Sequence, residues 1–302
     1  MDSALRLLQA LNDQKTNFFK AAVNFRLQSW AKSETTISKC LSADDVKDWI
    51  NNDVDPKQLR NPVRDFQNVA SITCLAFASL VNDAQTVRQL VESGADVRAT
   101  DWSGCTPLHY ACASRVEAQA KVEYMLQRDA SLVNATNYSP NRELLLKRFW
   151  ILPRYSTPLH MAVGHNQPAC VKTLVKDFNA PVNVDACGWT ALQIGALAGS
   201  AEAMKMLLHH PDCNVNYTNN PGLTALRFAV LSKHRTLAAV NVIASHPNCD
   251  FSITSRGRTA ADEARRHGHN RIAALIEEKS RGSLANTYEH MFSQLYTLLL
   301  TV

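Results

Sequence analysis

The sequence predicts an all-α solenoid built from stacked helix–turn–helix units. Three observations carry this. A short device, a threonine followed by Pro or Ala and then a run of small and apolar residues, occurs five times, with a weaker sixth copy that has Cys after the threonine. The copies begin at Thr73, Thr106, Thr157, Thr190, Thr224 and Thr259, and so lie 33, 51, 33, 34 and 35 residues apart. Between copies a second apolar stripe of helical period recurs and ends at a glycine or a polar turn.

Residues 1–70 match no unit. Leu5, Leu8, Leu11, Phe19, Val23 and Trp30 fall at spacings that suit one or two amphipathic helices. "SADDVKDWI" adds another, with Ser42 as cap and Asp45 three residues on. "DPKQLRNP", with two prolines, marks a boundary. The segment reads as a helical cap over the apolar flank of the first unit, because terminal repeats need one. A separate partner-binding module is the alternative.

The units occupy residues 71–280. The second is the clearest, "GCTPLHYACAS" from Gly104 to Ser114. Gly104 suits the tight turn into the helix. Thr106 suits the cap, where its hydroxyl accepts an orphan amide. Pro107 fits the first turn, where a missing N–H costs nothing. "TPLHMAV", "TALQIGA", "TALRFAV" and "TAADEAR" repeat the pattern, and "TCLAFAS" is a weaker first copy. Val87, Leu90 and Val91 begin the second-helix stripe, with Gly94 ending the helix. Val171, Leu174 and Val175 repeat it, as do Met204, Leu207 and Leu208.

The 51-residue spacing exposes an insertion at 138–156, "YSPNRELLLKRFWILPRYS". It is basic, through Arg142, Lys147, Arg148 and Arg154 against Glu143, and greasy, through Leu144 to Leu146, Phe149, Trp150, Ile151 and Leu152. So much apolar area either packs on the solenoid or meets a partner. At the far end, 281–302, Tyr288, Phe292, Leu295 and Leu299 share one face of a C-terminal helix. Folding back on the last unit is the main reading and a partner-helix seam the other.

The Thr-Pro-Leu-His-x-Ala heads at a period near 33, followed by "SGADV", make the chain resemble the ankyrin-repeat family over 71–280. The resemblance implies β-hairpin loops between units and binding of proteins on a concave face formed by hairpin tips and first helices. Carried onto this sequence, the variable positions include Trp102, Ser103, Cys187, Trp189, Leu197, Leu223, Leu231, Arg256, Arg258 and Arg266. Aromatics and arginines at such positions are the side chains that anchor interfaces. Arg148, Phe149 and Trp150 of the insertion join them as candidate partner contacts. Trp102 and Trp189 have a second reading as residues that merely lie over neighbouring hairpins. A separate series, Tyr110, Met161, Ile194 and Phe228, reads as core between units.

Composition narrows the chemistry. A formal charge of +5 over 302 residues is no nucleic-acid footprint. No apolar run is long enough to span a bilayer. Eight cysteines show no Cys-x-x-Cys pair. Cys112, Cys213 and Cys249 take small-residue positions of the repeat, so reduced structural thiols in a cytoplasmic-type compartment are expected. Cys187 is the exception, at a hairpin tip. The histidines lack acidic or cysteine partners at ligand spacing, so no metal is expected. Nucleophile-elbow, phosphate-loop and His-Glu-x-x-His motifs are missing, and ten glycines suit no Gly-rich cradle. No catalytic residue and no cofactor is therefore assigned.

The leading reading is a monomeric, non-enzymatic scaffold or adaptor that binds one or more proteins, without nucleic acid. Within the binding class, the chain could instead be an effector secreted by an intracellular bacterium, acting in host cytoplasm. The competing class is an enzyme or enzyme subunit, with catalytic groups in the N-terminal region and repeats that recruit substrate.

Overall fold

The computed structural model describes residues 73–283, apart from 93, 102, 139–153, 220–221 and 233–236. The expected N-terminal cap, most of the insertion and nearly all of the C-terminal helix lie outside these residues.

Each predicted threonine sits in extended backbone immediately before a helix. Those first helices are α1 (Cys74–Val81), α3 (Pro107–Ala113), α5 (Pro158–Gly164), α7 (Ala191–Ala198), α9 (Ala225–Leu231) and α11 (Ala260–Arg266). The returning helices are α2 (Ala84–Glu92), α4 (Ala118–Arg128), α6 (Pro168–Lys172), α8 (Ala201–Leu208) and α10 (Leu237–Ala244). α6 widens into a π-helical turn over Thr173–Asp177. Residues 270–283 are helical and form the return of the last unit. First helices pack on first helices and returning helices on returning helices, from one unit to the next. The result is two helical layers with a single core running between them.

The core is the predicted one. Val87, Leu90, Val171, Leu174, Met204 and Leu207 are buried on the returning helices. Leu108, Leu159, Leu192 and Leu226 are buried at equivalent places on the first helices. Tyr110, Met161 and Phe228 are buried, and Ile194 packs partly buried against the same cluster, so the series between units is core. Gly94, at φ +99°, ends α2 with its amide bonded back to Val91.

From the second unit on, side chains at the third helical position tie one unit to the next, whereas the first unit has Ala76 there. In His109, Nδ1 accepts the Thr106 amide at 3.1 Å and Nε2 donates to the Ser156 carbonyl at 3.1 Å. His160 does the same between the Thr157 amide and the Trp189 carbonyl, at 3.1 and 3.2 Å. Gln193 reproduces both bonds, accepting from Thr190 and donating to Leu223 at 3.1 and 3.0 Å. Accepting at Nδ1 fixes the Nε2–H tautomer of both histidines. Their burial pushes both imidazoles down to about 4, so they are neutral at pH 7.

A second ladder joins the loops. Asn183 Oδ1 accepts the Asn214 amide at 2.9 Å, and Asn216 Oδ1 accepts the Asp250 amide at 2.9 Å. Backbone pairs close the expected hairpins at Ala186–Trp189 and Ser255–Arg258. Both tips place two successive residues at positive φ, Cys187–Gly188 and Arg256–Gly257. That is the turn whose twist matches a hairpin.

Candidate functional site

The exposed surface nominated by the sequence can be built from two repeated positions. One is the residue before the cap threonine, fully buried at Cys105 and Ser156 but part-exposed in the last three units, where its carbonyl accepts from a side chain of the preceding unit. In the last three units this is Trp189, Leu223 and Arg258. The other is the last turn of each first helix: Leu80, Ala113, Gly164, Leu197, Leu231 and Arg266. Its first three members are buried. Leu197 and Leu231 are then 43% and 37% exposed, and the Arg266 side chain is 61% exposed. The surface therefore gains protruding apolar side chains in the fourth and fifth units, and charge in the sixth.

The nominated residues divide as follows. Cys187 is exposed at a hairpin tip, as is Arg256. Leu223 is half-buried against the core. Trp189 is half-buried too, and its ring lies 4.5 Å, centroid to centroid, from that of Phe228 in the next unit. Its indole therefore contributes to packing between units as well as to the surface. Ser103 requires a correction. It is fully buried, with its hydroxyl donating to Asp101 at 2.8 Å, so it belongs to the frame of the hairpin and offers no contact. The same carboxylate accepts the Cys105 amide and the Tyr110 hydroxyl, at 2.9 and 2.5 Å. A short polar side chain beside a buried carboxylate is pulled inward. Trp102, Arg148, Phe149 and Trp150 lie outside the described residues.

The base of the insertion is described, and it is ordered by one asparagine. The Asn137 amide donates to the Ser156 carbonyl at 3.1 Å, and Asn137 Oδ1 accepts the Ser156 amide at 2.9 Å. The Asn137 carbonyl also accepts the Tyr155 amide at 2.8 Å. Ser156 precedes Thr157 as Trp189 precedes Thr190, so Asn137 stands where Ala186 stands one unit later. The inserted residues thus leave and re-enter the chain at a hairpin tip, on the edge that carries Cys187 and Arg256. At that base Tyr138 packs over Gly104, where a Cβ would lie 2.4 Å from its ring.

The charged end of the surface rests on a buried carboxylate that sequence reading did not single out. Glu263 Oε2 lies 3.2 Å from Arg227 and 3.1 Å from Arg258, and Oε1 lies 3.6 Å from Arg266 and 3.1 Å from His267. Burial works to raise the Glu263 carboxyl, but hydrogen bonds from Arg258 and His267 and the nearby Arg227 charge outweigh it and hold the pKa down. The signal was present in the sequence: Arg227 occupies the position held by histidine in two earlier units. A guanidinium cannot accept the cap amide, so it needs an anion instead.

No group of three or more potential metal ligands occurs among the described residues. No described helix is long and apolar enough to cross a membrane.

Comparisons with known proteins agree with this architecture. A family model described as "Ankyrin repeats (3 copies)" matches residues 39–137 and 137–219. The match begins inside the stretch read as an N-terminal cap. It stops before Thr224 and Thr259, where the structure continues the same capped helices. Inversin from dog and from human are each 28% identical over 187 residues, which is 60% of this chain and 15% of theirs. The chicken nuclear factor NF-kappa-B p105 subunit is 26% identical over 192 residues, 62% of this chain and 18% of that one. The chain thus spans under a fifth of the length of these relatives. The crystal structure of the human ASB11 ankyrin repeat domain superposes with a TM-score of 0.54 at 18% identity, covering 87% of this chain and 98% of that one.

Proposed function

Because the chain belongs to the ankyrin-repeat family, we propose that it is a non-enzymatic scaffold or adaptor that holds a partner protein against its hairpin tips and the exposed ends of its first helices. Ankyrin repeats are protein-binding modules, and a rigid stack orders its side chains before the partner arrives, so little conformational entropy is lost on binding. The single observation that carries the reading is the pair Leu197 and Leu231. They protrude at one register position in adjacent units, where the first three units bury theirs. The insertion adds a second contact element, supported by its emergence at a hairpin tip beneath Asn137. Five buried thiols packed as small apolar side chains suit a reducing, cytoplasmic-type compartment.

The test is affinity capture with the full chain and two matched variants. Leu231→Asp places a charge on the proposed surface. Leu237→Asp places one on the outer layer, at a leucine of comparable exposure, 44%. A partner retained by Leu237→Asp and lost by Leu231→Asp is the expected result. Loss with Leu237→Asp alone moves the site to the returning helices, and turnover of a substrate by the purified chain overturns the non-enzymatic reading.

A further inference from the structure

Two columns of side chains cross the last three units and change character in the same order. Before the cap threonines stand Trp189, Leu223 and Arg258; at the ends of the first helices stand Leu197, Leu231 and Arg266. In both columns two apolar residues are followed by an arginine.

The arginine end is built rather than incidental. Buried Glu263 binds Arg227, Arg258 and Arg266, so one carboxylate faces three guanidiniums and leaves a surplus of positive charge. Arg256 adds a further cation at the hairpin tip, exposed and with no carboxylate partner among the described residues. The neighbouring acids Asp262 and Glu277 share Arg265 and so leave one negative charge, which reduces the surplus of Arg256, Arg258 and Arg266 without cancelling it. At the opposite end, Asp185 accepts the Tyr217 hydroxyl at 2.6 Å and bonds the Gly188 amide. Carboxylates approaching this surface are therefore attracted at the sixth unit and repelled at the fourth.

The hairpin backbone fixes where Arg256 stands. Its φ is +53°, in the left-handed region, as Cys187 is at +52° at the equivalent tip of the fourth unit, so the turn sets this conformation and holds the Arg256 side chain out at the tip.

We propose that the partner presents an acidic, amphipathic segment. Its apolar side chains lie on Leu197 and Leu231, and its cluster of carboxylates meets Arg256, Arg258 and Arg266. This rests on the binding surface proposed above and adds the chemistry of the partner and its direction along the repeats.

The experiment selects short random displayed peptides on the full chain and, in parallel, on two full-length variants, Arg256→Asn/Arg266→Gln and Leu197→Ser/Leu231→Ser. Peptides enriched on the unaltered chain should combine Leu, Met or Phe with runs of Asp or Glu. They should bind the arginine variant about tenfold more weakly at low salt, with most of that difference lost when salt screens it. Peptides that lack an acidic bias yet are lost on the leucine variant overturn the acidic partner and leave the surface standing. Peptides that do not distinguish the three chains, or no enrichment at all, overturn both. Asparagine suits the left-handed position, so an unchanged or raised unfolding midpoint in the arginine variant excludes misfolding as the cause of lost binding.

Discussion

Arg227 and Glu263, 36 positions apart in sequence, form a buried ion pair with 3.2 Å between nitrogen and oxygen. It stands where earlier units use a neutral side chain to pass a hydrogen bond to the next unit. Arg227 keeps half of that function, donating to the Arg258 carbonyl at 2.5 Å, and replaces the other half with charge. Its Nε is buried without a partner among the described residues.

Removing Arg227 takes from Glu263 its most deeply buried partner, leaves the Arg258 carbonyl without its side-chain donor and empties the space of a large side chain, while Arg258, Arg266 and His267 still face the carboxylate. Arg227→Ala should therefore lower the unfolding free energy by about 2–3 kcal/mol. Arg227→His restores a donor toward Arg258 and an acceptor toward Thr224, and Glu263 keeps Arg258. Its cost should stay near 1 kcal/mol, the net worth of a single hydrogen bond. Urea unfolding decides between them. Equal losses in the two variants would show that the unit needs the charge and not the relay.

His109 and His160 predict an acid-sensitive fold. Burial lowers both imidazoles to about 4 from an ordinary value near 6.5, so the unfolded chain binds more protons between these limits. Their contribution is complete above pH 6.5 and is lost as pH falls toward 4, at roughly 2–4 kcal/mol each. Gln193 makes the same two bonds without titrating. Unfolding midpoints at pH 7 and pH 5 should differ less in His109→Gln/His160→Gln than in the unaltered chain. An undiminished difference would assign the acid sensitivity to other groups.

The inserted residues should be separable from the fold. The Asn137 amide already gives the Ser156 carbonyl the bond that the Ala186 amide gives Trp189, and Asn137 Oδ1 accepts the return amide that the Ala186 carbonyl accepts without an insertion. Replacing residues 138–155 by Asn-Gly gives the two-residue turn this geometry prefers. The replacement removes Tyr138, which packs over Gly104 and whose amide bonds the Ser103 carbonyl, so unfolding by urea should shift by about 1–2 kcal/mol and no more. A collapse of stability would mean that Leu144 to Leu152 complete the core.

Thiol reactivity should single out one described cysteine. Burial drives Cys105, Cys170, Cys213 and Cys249 up to about 12, which removes the reactive thiolate. Burial raises the Cys112 thiol as well, whereas Cys187 is exposed. Brief maleimide treatment of the native chain, followed by peptide mapping, should label Cys187 ahead of these five. Rapid labelling of Cys213 or Cys249 would show that the loops open more readily than their packing implies.

Local chemistry made the repeat legible. A cap threonine, a proline or alanine in the first turn and an apolar stripe at helical spacing act within a few residues, so Thr73 through Thr259 could be placed without knowing the fold. The same locality made Tyr110, Met161 and Phe228 readable as core, because each repeats at one register position. What a side chain faces across units is not local. Ser103 looked like a hairpin-tip contact until Asp101 drew it inside. Trp189 reads from sequence either as an interface anchor or as a cover for a neighbouring hairpin, and in the structure Phe228, one unit later, takes up a face of its ring. Spacing announces the meeting of Glu263 with Arg266, three residues on, but not with Arg258 of the hairpin, and it marks Arg227 as needing an anion without saying which. The sequence by itself determined where each unit starts, turns and packs. Only stacking the units decided which side chains remained outside, because burial at each position depends on neighbours some thirty residues away.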